Sequence, residues 1–153
     1  MLSEIRKISS LLLSVAFSSI GFIASITVTV LAAREVSSNP LFVGFPNAVG
    51  VGGAVLGTRM IYLISKNNSQ LNALAFTFLI GAFGGAIMFY SLIVDSFVLL
   101  LFGAFILGIG QSATLQTRYA ASFVASEKFK ATALSLAVWF SVFGSVFGPR
   151  MVG

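Results

Sequence analysis

Five apolar stretches, at residues 8–33, 41–65, 71–94, 97–119 and 131–153, take up almost all of this 153-residue chain. Each is long enough to cross a bilayer, because about 20 helical residues at roughly 1.5 Å rise span a hydrocarbon core of about 30 Å. Helix is the form lipid demands, since a spanning backbone has no water to satisfy its amides. Strands of about ten residues with alternating polarity, the mark of a membrane barrel, are absent from the sequence. The expected fold is therefore an all-α, polytopic transmembrane bundle of five helices in a single domain, 1–153.

The basic residues fall in alternate gaps. Arg6 and Lys7 precede the first stretch, Arg59 and Lys66 end the second, and Arg118, Lys128 and Lys130 lie between the fourth and fifth. The opposite side carries Arg34, offset by Glu35, and the acid Asp95. Cytoplasmic loops gather Lys and Arg, so the N-terminus is expected inside and the C-terminus outside, in the plasma membrane. Arg150 is placed to snorkel toward the outer interface. The gaps have turn chemistry: Ser37-Ser38-Asn39-Pro40, Asn67-Asn68-Ser69 and Asp95-Ser96, with Ser126 and Glu127 positioned to cap the fifth helix. The first stretch is longer than the 7–15 apolar residues of a signal peptide and four more follow, so a retained helix is the better reading.

Composition narrows the chemistry. Hydrophobic residues make up 58% and charged residues 8%, against roughly 25% charge in soluble domains. With no Cys and no His there are no disulfides, thiolates, imidazole bases or zinc-type ligands. No acid lies inside a stretch, and no paired carboxylates are available for hydrolysis. Neither an enzyme, nor a metal site, nor a cofactor is expected. The net charge of +5 is scattered over segment ends rather than gathered on one face, which argues against nucleic acid.

Two features inside the stretches invite a functional reading and a structural one. Small residues pair four apart at Gly53 and Gly57, Gly81 and Gly85, Ala104 and Gly108, and Gly144 and Gly148. Such pairs let helix backbones approach closely in lipid, and they are also common in polytopic proteins at large. The polar groups at membrane depth are Asn47, Gln111, Thr114 and Gln116, with Gln111 and Thr114 sharing a helical face. They either line a solute path or hydrogen-bond between helices.

The order of several passages resembles the N-terminal half of a major facilitator superfamily transporter, of the efflux or drug–metabolite kind. The passages are Ala32-Ala33-Arg34-Glu35-Val36, then Asn39-Pro40-Leu41 with Gly44-Phe45-Pro46, then Leu107-Gly108-Ile109-Gly110-Gln111-Ser112-Ala113. The loop Gln116-Thr117-Arg118-Tyr119-Ala120-Ala121 and the closing Gly144-Ser145-Val146-Phe147-Gly148-Pro149 complete the set. The last is similar to the family's antiporter-associated glycine–proline signature. The resemblance implies secondary transport of a small molecule by alternating access, with Asn47, Gln111 and Thr114 facing the substrate path. It implies a cytoplasmic gate at Gly57, Arg59, Lys66 and Arg118, and a bend of the fifth helix at Gly144, Gly148 and Pro149. The family's loop between helices two and three usually carries an Asp–Arg pair, a glycine and two bases. Here Ile61, Tyr62, Ile64 and Ser65 replace all but the last base, Lys66, so that loop's charge network does not form in its usual way. Ala104 stands where many proton-coupled relatives keep an arginine.

The family fold has two six-helix halves with substrate between them. This chain is thus expected to be a truncated or split portion. Its partners are then the lipid bilayer, an unidentified small solute and a second polypeptide supplying the missing helices. The alternative is a non-transporting assembly subunit or regulatory remnant.

Overall fold

The computed structural model describes residues 2–37 and 40–124, together with Ser135, Val138, Trp139 and Val142. Among these the chain is all-helical. The elements are α1 (Leu2–Val36), a short 3-10 turn (Pro40–Phe42), α2 (Phe45–Asn67), α3 (Gln70–Val94) and α4 (Phe97–Val124). Among the described residues, three helices are long and apolar enough to cross a membrane: Phe45–Asn67, Gln70–Val94 and Phe97–Thr117. The expected fifth span, 131–153, lies outside the described residues, and with it Gly144, Gly148, Pro149 and Arg150. So does the Ser126–Glu127 cap.

Local chemistry explains where the helices start and stop. The second helix begins at Phe45 and not at 41, because Pro40–Phe42 closes into a tight turn first. Pro46 then occupies the opening turn of α2, where its missing N–H leaves no intrahelical bond unmade. At the other end the Asn68 N–H closes on the Ile64 carbonyl at 2.9 Å. Ser69 follows at once as the N-cap of α3, its hydroxyl accepting from the Asn72 N–H at 3.3 Å. That is the whole connection between α2 and α3.

Helix α3 ends on Asp95, held in the left-handed region at φ 51° and ψ 44°. The Ser96 N–H reaches back to the Ser91 carbonyl at 3.0 Å, a six-to-one closure of the Schellman type. Ser96 in turn caps α4, accepting from the Leu99 N–H at 3.4 Å. Helix α4 continues to Val124, so residues 116–121, expected as a loop, are helical, and Arg118 lies on a helix. The run from Gln116 to Phe123 holds neither proline nor glycine to interrupt it.

The chain forms two compact units, Met1–Ser25 with Thr114–Gly153, and Ile26–Ala113. The second contains the C-terminal end of α1, all of α2 and α3, and α4 as far as Ala113. Its buried apolar cluster is built of Ala32, Ala33, Met88, Leu100 and Ala104, with Val43, Leu92, Phe97 and Leu107 packed around it. Phe42 stacks edge-on against Phe45 and Phe97 at 6.3 and 6.0 Å between ring centroids, tying the 3-10 turn to the starts of α2 and α4.

Large and small side chains are distributed opposite to a water-soluble core. Phe76, Leu79, Phe83, Tyr90 and Ile93 form one exposed face of α3, with Phe83 71% exposed. Glycine and alanine sit inside instead. In water such an apolar face would drive association. In lipid the tails are as apolar as the side chains, and close packing of small residues is what holds helices together.

Candidate functional site

The compact unit spanning Ile26–Ala113 is organised around α4, which meets α2 on one face and α3 on the other with backbone against backbone. Toward α2, a Cβ added at Gly50 would lie 3.3 Å from the Ala104 carbonyl oxygen. One added at Gly53 would run into the Phe105 carbonyl, and one at Gly57 would lie 2.5 Å from the Ile109 carbonyl oxygen and against the Ser112 hydroxyl. From the other side, a Cβ on Gly108 would strike the Gly50 carbonyl and lie 2.7 Å from its carbon. The contacts advance in the same direction along both helices, so α2 and α4 run parallel. At Gly53 and Gly108 the hydrogen standing in place of Cβ points at a carbonyl oxygen across the interface, the arrangement of a Cα–H···O contact.

Toward α3 the order reverses. Gly81 faces Gly110, Gly84 faces the Ile106–Leu107 peptide, and Met88 covers Gly103. A Cβ at Gly81 would lie 2.7 Å from the Gly110 Cα, and one at Gly103 would lie 2.7 Å from the Met88 Cγ. Helix α3 is therefore antiparallel to α4. The expected pair of Gly81 and Gly85 is corrected here. The close partner is Gly84, three residues on, whereas Gly85 meets only a Leu107 methyl at 4.0 Å. The expected pair Gly53 and Gly57 does face α4, and Ala104 and Gly108 straddle Gly50.

Buried hydroxyls in this packing turn inward on their own helices. Thr77 donates to the Ala73 carbonyl at 2.8 Å, Ser91 to Met88 at 2.6 Å and Ser112 to Ile109 at 2.7 Å. Each is thereby satisfied without a partner helix, as burial in an apolar medium requires.

The residues singled out from the sequence do not converge on one spot. Asn47 is half-buried in the first turn of α2, one turn before the Gly50 contact. Gln111 is half-buried on α4 at the level where Gly57 meets Ser112. Ten residues of helix, about 15 Å, separate those levels along the parallel axes. Thr114 is buried on α4. Arg59 and Lys66 are exposed on α2, and Gly57 is fully enclosed by α4. Ile61, at the position of the family's aspartate, is 1% exposed, an apolar packing residue where a charge would be costly. Sequence reasoning missed Gly50, Gly84, Gly103 and Gly110. The signal was present in the spacings 50–53–57 and 103–110, which return to one face after seven residues.

Two curated proteins of Bacillus subtilis (strain 168) are similar over nearly the whole of this chain. One, named uncharacterized MFS-type transporter YdeG, is 31% identical over 140 residues, covering 92% of this chain and 33% of its own length. The other, named uncharacterized MFS-type transporter YddS, is 32% identical over 147 residues, covering 96% of this chain and 34% of its own. The chain is similar along nearly all of its length to part of each of these two MFS-type transporters. It spans about a third of the length of the curated relatives it matches. No family model matches the chain, and no solved structure matches it. With three apolar helices of spanning length, the similarity makes this a multi-pass membrane protein.

Proposed function

We propose that this chain is the N-terminal portion of a secondary transporter that moves a small amphipathic molecule across the plasma membrane, efflux being the direction the resemblance implies. The observation that carries the reading is the similarity to two MFS-type transporters across more than nine-tenths of the chain. In this reading the N-terminus is cytoplasmic, the C-terminus is outside, and a second polypeptide supplies the remaining helices. Asn47, Gln111 and Thr114 face the solute path at different depths. Gly57, Arg59, Lys66 and Arg118 belong to the cytoplasmic gate, and Gly144, Gly148 and Pro149 bend the fifth helix, since a proline there removes one backbone bond. The slab of α2, α3 and α4 moves as one piece in the exchange.

A second reading is favoured by one observation. Ile61 is packed in the interior where the family's loop carries an acid, so the usual charged latch is replaced by apolar contact. A non-transporting membrane subunit has no need of that latch.

The test is accumulation of amphipathic dyes in everted membrane vesicles from cells producing the chain together with the reading frame that follows it. Transport predicts faster dye accumulation than in control vesicles, reduced by Asn47→Leu or Gln111→Leu at equal membrane abundance. Flux equal to the control, with the chain inserted at normal level, would exclude transport and leave the subunit reading.

A further inference from the structure

We propose that the C-terminal third of α2 binds the headgroup of an anionic phospholipid, through Arg59, Tyr62 and Lys66. The three lie at spacings of three and four residues, so they fall on one helical face, and all are exposed, Tyr62 at 69%. That face continues upward as Ala48, Val51, Gly52 and Val55, an exposed apolar strip suited to an acyl chain. A lipid lying along it places its tail on the strip and its phosphate at the two cations.

Charge complementarity selects the headgroup. Helix α2 contains no Asp or Glu from Phe45 to Asn67, and among the described residues neither Arg59 nor Lys66 has an ion-pair partner. Lys66 stands in the last turn, where the helix dipole alone accounts for a base. Arg59 does not: it sits eight residues, about 12 Å, before the helix end, within a segment of spanning length. A guanidinium at that depth needs an anion it can reach by snorkelling, and its planar fork suits a phosphate oxygen pair. Tyr62 adds an amphipathic ring of the kind that settles at the headgroup level. Placed at the boundary, the pair of bases favours an anionic over a zwitterionic lipid by about fivefold each, or roughly 25-fold together.

The inference requires that α2 spans the bilayer with this face toward lipid, a different assignment for Arg59 and Lys66 from the gate proposed above, so it is tested apart from transport. The experiment is native mass spectrometry of the full chain released from detergent, titrated with phosphatidylglycerol and with phosphatidylcholine of the same acyl chains. The expected result is retention of phosphatidylglycerol at roughly 25-fold lower concentration, collapsing to near parity in the Arg59→Gln, Lys66→Gln double variant. Arg34→Gln, at the exposed end of α1 beside Glu35, should leave the preference intact. Equal retention of both lipids by the natural chain, or a preference surviving the double variant, would overturn the proposal. So would loss, in the double variant, of a second polypeptide seated on this face while the lipid preference stays unchanged.

Discussion

Gly108→Ala is the sharpest probe of how this unit is held together. The added Cβ would strike the carbonyl oxygen of Gly50 and lie 2.7 Å from its carbon, where ordinary contact begins at 3.4 Å. Both obstructing atoms are backbone, so no rotamer change makes room. The oxygen is the nearer of the two, so the parallel helices α2 and α4 must separate by more than the roughly 0.7 Å that the carbon alone requires, which places the cost toward the upper end of the overpacking range. A gap of roughly 0.5–1 Å forfeits a quarter to a half of each dispersion contact across the seam, and overpacking of this kind costs about 1–3 kcal/mol. Alanine recovers up to about 1 kcal/mol through helix propensity and a less flexible unfolded chain. The net expectation is a loss of about 1–2 kcal/mol. Gly52→Ala is the control on the same helix, because its Cβ would meet only the edge of the Phe105 ring at 4.0 Å. There the propensity gain stands alone, and the variant should be neutral or more stable by up to about 1 kcal/mol. The assay is helical content against SDS mole fraction in mixed micelles, which reads the difference between the two variants directly. Equal midpoints for Gly108→Ala and Gly52→Ala would refute the claim that backbone contact, and not glycine content, holds α2 to α4.

The same assay separates neighbours on α3: Gly84→Ala should lower the midpoint by about 1–3 kcal/mol, while Gly85→Ala, facing one Leu107 methyl, should leave it unchanged or raise it. Asp95→Val should destabilise by about 1–2 kcal/mol, since a β-branched residue resists the left-handed conformation of the α3 cap. Asp95→Gly in the same melt should be at least as stable as the natural chain. Removing the Ser69 hydroxyl with alanine should cost about 0.5–1 kcal/mol, at the low end for a cap because the bond to Asn72 is long and exposed. Hydrogen exchange at the Asn72 amide should rise with it.

The three spans between Phe45 and Thr117 were legible because hydropathy and length follow directly from residue type, and because Asn68, Ser69, Asp95 and Ser96 carry turn chemistry that reads locally. The start of the second helix was not, since Leu41 and Phe42 are apolar enough to continue the pattern. Only the closure of Pro40–Phe42 into its own turn moves the boundary to Phe45. The extension of α4 past Tyr119 was hidden for the converse reason: polar residues at 116–118 look like a loop, yet nothing among them breaks a helix. Glycine pairing was half legible. Four-residue spacing identified Gly53 with Gly57, but which of Gly84 and Gly85 meets α4 depends on the antiparallel approach of α3, and that is a tertiary fact. The candidate path residues were chosen for polarity at depth, a criterion blind to axial level, and so it grouped Asn47 with Gln111 across about 15 Å of helix.

The enclosure of Gly57 bears on any gate at the end of α2. Its neighbours are the Ile109 carbonyl and the Ser112 hydroxyl, and Gly53 and Gly50 repeat the contact one and two turns earlier. Sliding α2 along α4 by even one residue's rise, about 1.5 Å, would bring the side chains flanking these glycines onto the carbonyls that the glycines now accommodate. The barrier to that motion is steric and recurs along three turns, so displacement of Arg59 and Lys66 must carry α4 with it. Because α4 is held as closely by Gly81 and Gly84 on its other face, α3 follows too. Any gate built on this helix would therefore have to move α2, α3 and the packed part of α4 together. Spin labels at Leu63 and Phe102, both exposed and both within the unit Ile26–Ala113, should report a fixed separation under every condition of transport. A separation between them that changed with substrate would show that α2 moves on its own.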